Sequence, residues 1–486
     1  LEPHWTSIIP PLLAVFLAFV TREAVFSLAV ACLAGVVLMG PGWREVGVML
    51  GEPIGWVDLF LDHGIHAYCE LIKRSLASEE FIWICMIELC IGVLVAFFQR
   101  SGAVGMFSAR ARVWATSRRR VGILGWLLGL FIFFSDYFSP LFVGPIMRDL
   151  TDKYKISREK LAYICDSTSS PLVVMIPISG WAVYISGLMI GKAGIVDAEQ
   201  GLMVFIKSIP YNFYGFLAVG MVFLLVAGVI KDYGPMRTAE KRALEEGKVM
   251  RDGAVPMMGD ELTGLEVSPT GRTNIFLNFL LPVLIIIVVN TGTFIWYEKT
   301  LILESFLLAV MVLGVVLWIQ RVDTLLGIMK CVYSGMKGVM PAVMILALAY
   351  CINTVSKEMQ TAQYVINISE GWLQAAWLPM LLFIISGFIS FATGTAWGTY
   401  AIMVPIALPM AYGFSGGNID MLVLSSLSAV VGGGIFGDHC SPLSDTTVLS
   451  SLGSACDHID HVKTQLPYTL TVAALVSVLY LVVGMV

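Results

Sequence analysis

Chemistry concentrates in the stretch Gly437-Asp438-His439-Cys440-Ser441-Pro442-Leu443-Ser444-Asp445-Thr446-Thr447. Carboxylates, hydroxyls, an imidazole and a thiol are expensive in hydrocarbon, yet the stretch lies between strongly apolar runs, Met421–Val431 and the segment after Thr447. Gly432, Gly433, Gly434 and Gly437 loosen the backbone and Pro442 removes an amide, so a helix is predicted to break here. Irregular backbone at membrane depth is tolerated where it is buried in protein or lines a cavity. The alternative is a polar loop outside the membrane joining two helices.

The same pattern recurs at Asp166-Ser167-Thr168-Ser169-Ser170-Pro171. Two more polar interruptions, Ser135-Asp136-Tyr137-Phe138-Ser139-Pro140 and Thr393-Gly394-Thr395-Ala396-Trp397-Gly398-Thr399, cut long apolar runs. Carboxylates, hydroxyls and unwound carbonyls are hard oxygen donors suited to Na⁺, and the C-terminal end of a half-helix adds partial negative charge. Glu88, Asp136, Asp166, Asp438 and Asp445 all fall in or beside apolar runs. At about 2.5–3.5 kcal/mol each, five bare charges would cost roughly 12–17 kcal/mol, as much as a typical protein's whole stability. Each must be protonated, hydrated or neutralised, and no Lys or Arg lies in the same breaks. A small cation is the simplest partner. The predicted ion or substrate ligands are Ser135, Asp136, Asp166, Ser167, Thr168, Ser169, Thr393, Gly394, Thr395, Asp438, His439, Ser441, Ser444, Asp445 and Thr446, with Na⁺ at Asp136, Asp166, Asp438 and Asp445. The 166–169 set is expected to face Ser135 and Asp136, and Thr393, Thr395 and Thr399 to face 438–446. Asp136, Asp166, Asp438 and Glu88 are the candidates for proton coupling. Na⁺ and H⁺ competing for one carboxylate under alternating access amounts to antiport.

Plainer roles stand beside these. Asp166, Asp438 or Asp445 could cap a half-helix through backbone amides. Glu88 could be a satisfied core carboxyl, and His439 either a proton carrier near neutral pH or a structural, hydrogen-bonded side chain. Asp457, His458, Asp460 and His461 resemble a metal cluster, but the polar turn they occupy predicts an exposed, solvated surface. Trp397 and Tyr137 could pack against an organic solute, such as a carboxylate or amino acid. An enzyme using Asp136 and Asp166 as a dyad is the weaker reading, because matched breaks argue for transport.

The elements that must position these residues are membrane helices. The chain of 486 residues is 57% hydrophobic and 13% charged, with mean hydropathy +0.83, whereas soluble domains carry roughly 25% charged residues. Nine cysteines form no CxxC pair and fall mostly in apolar runs, so buried thiols are expected rather than a metal site. No phosphate-binding glycine loop supports ATP-driven pumping, and nothing suggests nucleic-acid binding. No cofactor is expected beyond the transported or coupling ions. Trp5–Val20 lacks the basic flank of a secretory signal and reads as a span.

Arg100, Arg110, Arg112, Arg118, Arg119 and Arg120 mark a cytoplasmic loop, and Arg148, Lys153, Lys155, Arg158 and Lys160 a second. Two basic loops on either side of 121–147 favour a re-entrant hairpin over a single span. The chain then divides into a first repeat, 1–192, with hairpin 121–147 and broken helix 161–190. A linking span and cytoplasmic linker occupy 193–272. A second repeat, 273–455, has hairpin 372–411 and broken helix 419–452, and 456–486 is a C-terminal span. Spans 5–20 and 24–40 correspond to 274–289 and 301–319. The interfacial stretches 41–78 and 321–337 correspond, as do the spans 81–98 and 339–354. The span 212–230 turns the second copy over. The predicted architecture is an all-α polytopic membrane protein, an inverted repeat with two re-entrant hairpins, two discontinuous transmembrane helices and about ten spans. Such repeats place a site near the bilayer midplane.

Gly437 through Thr447 resembles the signature of the NhaC family of Na⁺/H⁺ antiporters. Gly394-Thr395-Ala396-Trp397-Gly398-Thr399 is similar to that family's second hairpin tip, and Phe134-Ser135-Asp136-Tyr137 to its first, although the family often has a second acid where Ser135 stands. The resemblance covers most of the chain. It implies a multi-pass secondary transporter of the bacterial inner membrane, in the wider ion-transporter superfamily. Members pair a scaffold with a moving transport domain, are commonly homodimers and work by an elevator motion. Some relatives exchange organic solutes, such as malate for lactate, with Na⁺ and H⁺.

Overall fold

The computed structural model describes residues 3–21, 23–39, 61–111, 113–133, 136–177, 179–258, 265, 267–268, 274–297, 301–369 and 374–485. Among them the chain is helical, with one isolated bridge between Pro256 and Asp457 and no β-strand. Among the described residues, seven helices are apolar and long enough to cross a membrane: Phe81–Ser101, Phe276–Tyr297, Ile302–Ile319, Leu325–Glu358, Ala375–Thr393, Met421–Cys440 and His458–Met485. Ala198–Tyr211 and Phe213–Val226, bent by 47°, make an eighth if they count as one. Asn212 sits at that bend and caps the second piece, its Oδ1 accepting from the Gly215 N–H at 3.2 Å.

Several elements differ in extent from the sequence-based expectation. Trp5–Ala18 and Ala24–Met39 are shorter apolar helices. The 161–190 element is broken at 168–169, inside the expected interruption, and again after Val173, giving Arg158–Ser167, Ser170–Val173 and Gly180–Met189. No separate interfacial stretch occupies 321–337; one helix runs from Leu325 to Glu358. Its buried residues Ile328, Cys331, Gly335, Gly338, Val339 and Ala342 keep helical spacing across the expected boundary, so packing holds it continuous. A Cβ on Gly92 would lie 2.4 Å from the Gly335 carbonyl oxygen, which shows how closely this helix crosses Glu79–Ser101. Of the other interfacial stretch, residues 41–60 lie outside the described residues, and the remainder includes the amphipathic helix Ala67–Leu76. The last helix begins at His458 rather than at Pro467, which it contains.

The polar linker after Lys231 is docked rather than free. Its helix Gly234–Glu246 carries Glu240 to Arg118 (2.5 Å) and Arg242 to Glu159 (2.7 Å). Asp232 pairs with Lys160. Arg251 Nε donates to Asp460 (2.9 Å), the Val255 amide donates to Asp457 (2.9 Å), and the Met257 amide donates to the Cys456 carbonyl (3.1 Å). Arg118 begins the helix Arg118–Phe131, and Lys155, just past Phe138–Lys153, reaches the Leu244 carbonyl at 3.5 Å. Both outer ends of this helical pair therefore meet the same linker helix. Arg251→Ala would leave two largely buried carboxylates short of their cation. It is expected to lower unfolding stability by about 1–2 kcal/mol, read as a drop in the thermal midpoint of the detergent-solubilised protein.

Buried side chains form two apolar cores. One gathers Ala24–Met39, Glu79–Ser101, Ile302–Ile319 and Leu325–Glu358, together with Phe138–Lys153 and Asp445–Ser454. The other gathers Gly180–Met189, Phe213–Val226, Leu378–Thr393, Ala396–Phe414, Met421–Cys440 and His458–Met485. Met421–Cys440 and Asp445–Ser454 thus belong to different cores, and the chain between them lies where the cores meet.

Candidate ion site

The expected break in the 419–452 element falls later than the glycines suggest. The helix continues through Gly432, Gly433, Gly434 and Gly437 to Cys440, and the interruption is Ser441–Ser444. The glycines serve contact instead. A Cβ on Gly433 would lie 2.3 Å from the Phe383 carbonyl oxygen, and one on Gly437 2.1 Å from that of Gly387, so this helix packs backbone to backbone on Leu378–Thr393. Pro442 and the chain turn after it end the helix. Ser444 Oγ then caps Asp445–Ser454 by accepting from the Thr447 amide (3.4 Å).

This break puts one acid at each helix end. Asp438 is in the last turn of one helix and Asp445 is the first residue of the next; they are 3% and 8% exposed. The Thr446 hydroxyl donates to Asp438 Oδ2 at 2.8 Å, and Ser444 Oγ lies 3.0 Å from Thr446 Oγ1. Asp445 Oδ1 accepts from the adjacent Thr446 amide (2.8 Å), while the cap itself is Ser444, and Asp445 Oδ2 accepts from the Tyr137 hydroxyl (3.1 Å). Asp438 lies within electrostatic reach of Asp445 and Asp166, and Asp445 of Asp136 and Glu88.

The chain at Tyr137 reaches the Ser441–Ser444 break. Trp397 Nε1 donates to the Tyr137 hydroxyl at 3.2 Å, which joins the two tips above Asp445. Asp136 is held by Trp181, whose Nε1 donates to its Oδ2 at 2.8 Å, rather than by the 166–169 hydroxyls expected to face it. Ser135 lies outside the described residues. Gly394 turns the second tip with φ +71°, and Thr393 and Thr395 line a cavity shared with Asp445. The Thr393 and Thr399 hydroxyls donate to carbonyls of their own helices. Ser441 Oγ donates to the Phe391 carbonyl (2.8 Å), fastening the break to the tip.

The first-half break is organised around Asp166, which is fully buried. Gln465 Nε2 donates to Asp166 Oδ2 at 2.7 Å and also to the His439 carbonyl. Ser167 Oγ lies 2.8 Å from His439 Nε2, and the Tyr214 hydroxyl 2.9 Å from its Nδ1. Both ring nitrogens of His439 are therefore engaged, and it ties the two breaks together. The Thr168 and Ser169 hydroxyls donate to the carbonyls of Ile164 (2.7 Å) and Asp166 (2.7 Å), local bonds that close the break. Glu88 is fully buried, and among the described residues neither of its carboxyl oxygens has a hydrogen-bond partner.

The turn expected to be solvated at 457–461 is instead interior. Asp457 is 6% exposed, His458 3% and His461 0%. Ser451 Oγ lies 3.1 Å from His458 Nδ1 and 2.9 Å from His461 Nδ1, and His461 Nε2 lies 3.0 Å from Gln465 Oε1. The docked linker covers the two acids, which is why the turn is buried. Gln465 is the residue the sequence reading missed, and His461 is one it placed at the surface. Their signal was spacing: His458, His461 and Gln465 fall at i, i+3 and i+7 on one helical face leading into an apolar run. Among the described residues, no three His, Cys, Asp or Glu side chains converge as a metal-ligand set. A cation would take one or two carboxylates and complete its shell with hydroxyl and carbonyl oxygens.

An all-helical, largely apolar molecule with a buried carboxylate network at two interrupted helices has the build of a membrane transporter. The sequence model of the Na⁺/H⁺ antiporter family matches residues 187–485, and the chain belongs to that family. It is a multi-pass membrane protein and a secondary transporter of the antiporter kind. A Haemophilus influenzae protein described as uncharacterized is 32% identical over 98% of this chain and 90% of its own length. A second Haemophilus influenzae protein, an uncharacterized Na⁺/H⁺ antiporter, is 28% identical over 24% of the chain and 27% of its own length. The malate-2H⁺/Na⁺-lactate antiporter of Bacillus subtilis is 35% identical over 21% of the chain and 20% of its own length.

Proposed function

We propose that this protein exchanges Na⁺ for H⁺ across the bacterial inner membrane at a site built on Asp438, Asp445, Asp166 and Asp136. The observation that carries the reading is the Ser441–Ser444 break, with a buried acid at each helix end and the Thr446 hydroxyl bonded to Asp438. The hydrogen bonds these four acids accept come from hydroxyl, indole and amide donors; no lysine or arginine among the described residues pairs with them. Their charge is then balanced by a proton or by a small cation, and exchange follows when the two alternate on one carboxylate. Ser444, Thr446 and backbone carbonyls of the break supply the remaining oxygens for Na⁺.

The rest of the reading is mechanical. The two apolar cores meeting at the break support a scaffold and a moving body, as an elevator requires, with the site near the midplane. The paired breaks support the inverted relation of 1–192 to 273–455, and the family supports a homodimer. Coupled exchange of an organic solute is the second reading, favoured by the cavity of about 800 Å³ that opens beside Asp445 and far exceeds what Na⁺ needs.

The test is a vesicle assay with an internal pH dye. External Na⁺ is expected to alkalinise the lumen of wild-type proteoliposomes, and Asp136→Asn to remove the response. Normal exchange by that variant would remove Asp136 from the site. A wild-type response to organic solutes alone would move the assignment to the second reading.

A further inference from the structure

We infer that Trp181 is a positioning residue of the exchange: its indole N–H aims Asp136 at the cation, and its ring, stacked on Trp397, locks that acid to the turn at Gly394. This rests on the Na⁺/H⁺ reading above and adds to it a residue that is no ion ligand. An indole N–H donates and offers no lone pair, so Trp181 cannot itself hold Na⁺. It donates to Asp136 Oδ2 at 2.8 Å, which fixes one carboxyl oxygen and so the direction of the other. The donor is also neutral. A lysine or arginine in its place would cancel the charge that Na⁺ needs, whereas an indole orients the carboxylate and leaves its charge in place. A serine or threonine hydroxyl could rotate away and join the ion's shell.

The direction of that N–H is set by what clamps the ring. Trp181 sits in the first turn of Gly180–Met189, whose cap Ser179 accepts from the Ala182 amide at 3.3 Å. Its ring is buried, with the Trp397 ring stacked on it at 3.9 Å and 25° and Tyr400 edge-on at 5.4 Å and 76°. Trp397 is fastened in turn. Its Nε1 donates to the Tyr137 hydroxyl (3.2 Å), and its carbonyl accepts from the Tyr184 hydroxyl (2.9 Å). Tyr137 follows Asp136 in the chain, so the contacts close a ring: Asp136, Trp181, Trp397, Tyr137 and back through one peptide bond. The Tyr137 hydroxyl also donates to Asp445, so the same ring carries both acids. Trp397 lines the cavity beside Asp445, and neither Trp181 nor Asp136 does; the stacked pair therefore partitions Asp136 from the cavity. Partners that orient an ion ligand in this way govern affinity by about 10- to 100-fold.

The test measures initial rates of lumenal alkalinisation in proteoliposomes over a series of external Na⁺ concentrations. Trp181→Phe keeps the stacking face and removes the N–H. Its half-saturating Na⁺ concentration is expected to rise at least about tenfold, with a maximal rate within about threefold of wild type. Trp397→Leu leaves the N–H but frees the ring, and a smaller rise is expected. Trp318 is exposed, and Trp318→Phe is expected to match wild type. Elution profile and unfolding midpoint establish the folding of each variant. An unchanged half-saturating concentration in folded Trp181→Phe overturns the inference and leaves Na⁺/H⁺ exchange standing. A lowered maximal rate at unchanged half-saturation overturns it too, because the ring would then serve movement or folding rather than the ion. An equal shift in Trp318→Phe has the same consequence. If Trp181→Phe does not fold, Trp397→Leu decides, and unchanged half-saturation there overturns the clamp. A wild type silent to Na⁺ at every concentration overturns the proposed function, and this inference falls with it.

Discussion

Asp438→Asn is expected to abolish Na⁺-driven proton movement while the protein stays folded. The amide has nearly the shape of the carboxylate, and its Oδ1 can still accept from the Thr446 hydroxyl, as Asp438 Oδ2 does at 2.8 Å. What disappears is the negative charge and the ability to exchange a proton. The residue is 3% exposed, so no bulk water replaces the missing charge. Lumenal alkalinisation in the variant should match protein-free vesicles, whereas Thr446→Val, which removes only the hydroxyl, should slow exchange by about 10- to 100-fold, the usual effect of deleting a group that orients an ion ligand. Exchange at the wild-type rate in Asp438→Asn would sink the assignment.

The second large effect concerns folding. A Cβ on Gly437 would lie 2.1 Å from the Gly387 carbonyl oxygen and 2.6 Å from the Phe391 amide nitrogen. Both atoms are backbone, so no side-chain rotation relieves the clash. Overpacking commonly costs about 1–3 kcal/mol and sometimes more, and a backbone-to-backbone contact belongs at the upper end. Gly437→Val is expected to give little monodisperse protein in detergent and a lowered unfolding midpoint in what remains. Gly413→Ala is the control, because a Cβ there meets nothing within 4 Å. Equal yields and midpoints for Gly437→Val and wild type would show that the helices separate more easily than their packing implies.

The polar breaks were legible because acids and hydroxyls inside apolar runs have few explanations. Asp438, Asp445 and Thr446 do meet, and so do Ser167 and His439. Where the break falls was not legible. Glycine reads alike whether it bends a helix or lets another backbone approach, and only the partner helix Leu378–Thr393 decides between them. The partner of Asp136 was hidden for a similar reason. Trp181 lies in an apolar run where an indole reads as core, and its donor is visible only once the tip is placed beside it. Asp457 and Asp460 were misread as surface because their cover, the linker segment around Arg251–Met257, is polar and remote in sequence. Likewise, the run from Leu325 to Glu358 looked divided because its charged residues suggested an interface, while its buried stripe continued unbroken.

The central claim is that one buried carboxylate is the place where Na⁺ and H⁺ replace each other. The direct measurement is proton release on adding Na⁺ to purified protein in weakly buffered detergent solution, wild type against Asp438→Asn. Wild type is expected to release protons as Na⁺ binds, with an apparent Na⁺ affinity that weakens as pH falls, and Asp438→Asn to release none. Na⁺ binding without proton release in the wild type, or equal release from both proteins, would contradict the account.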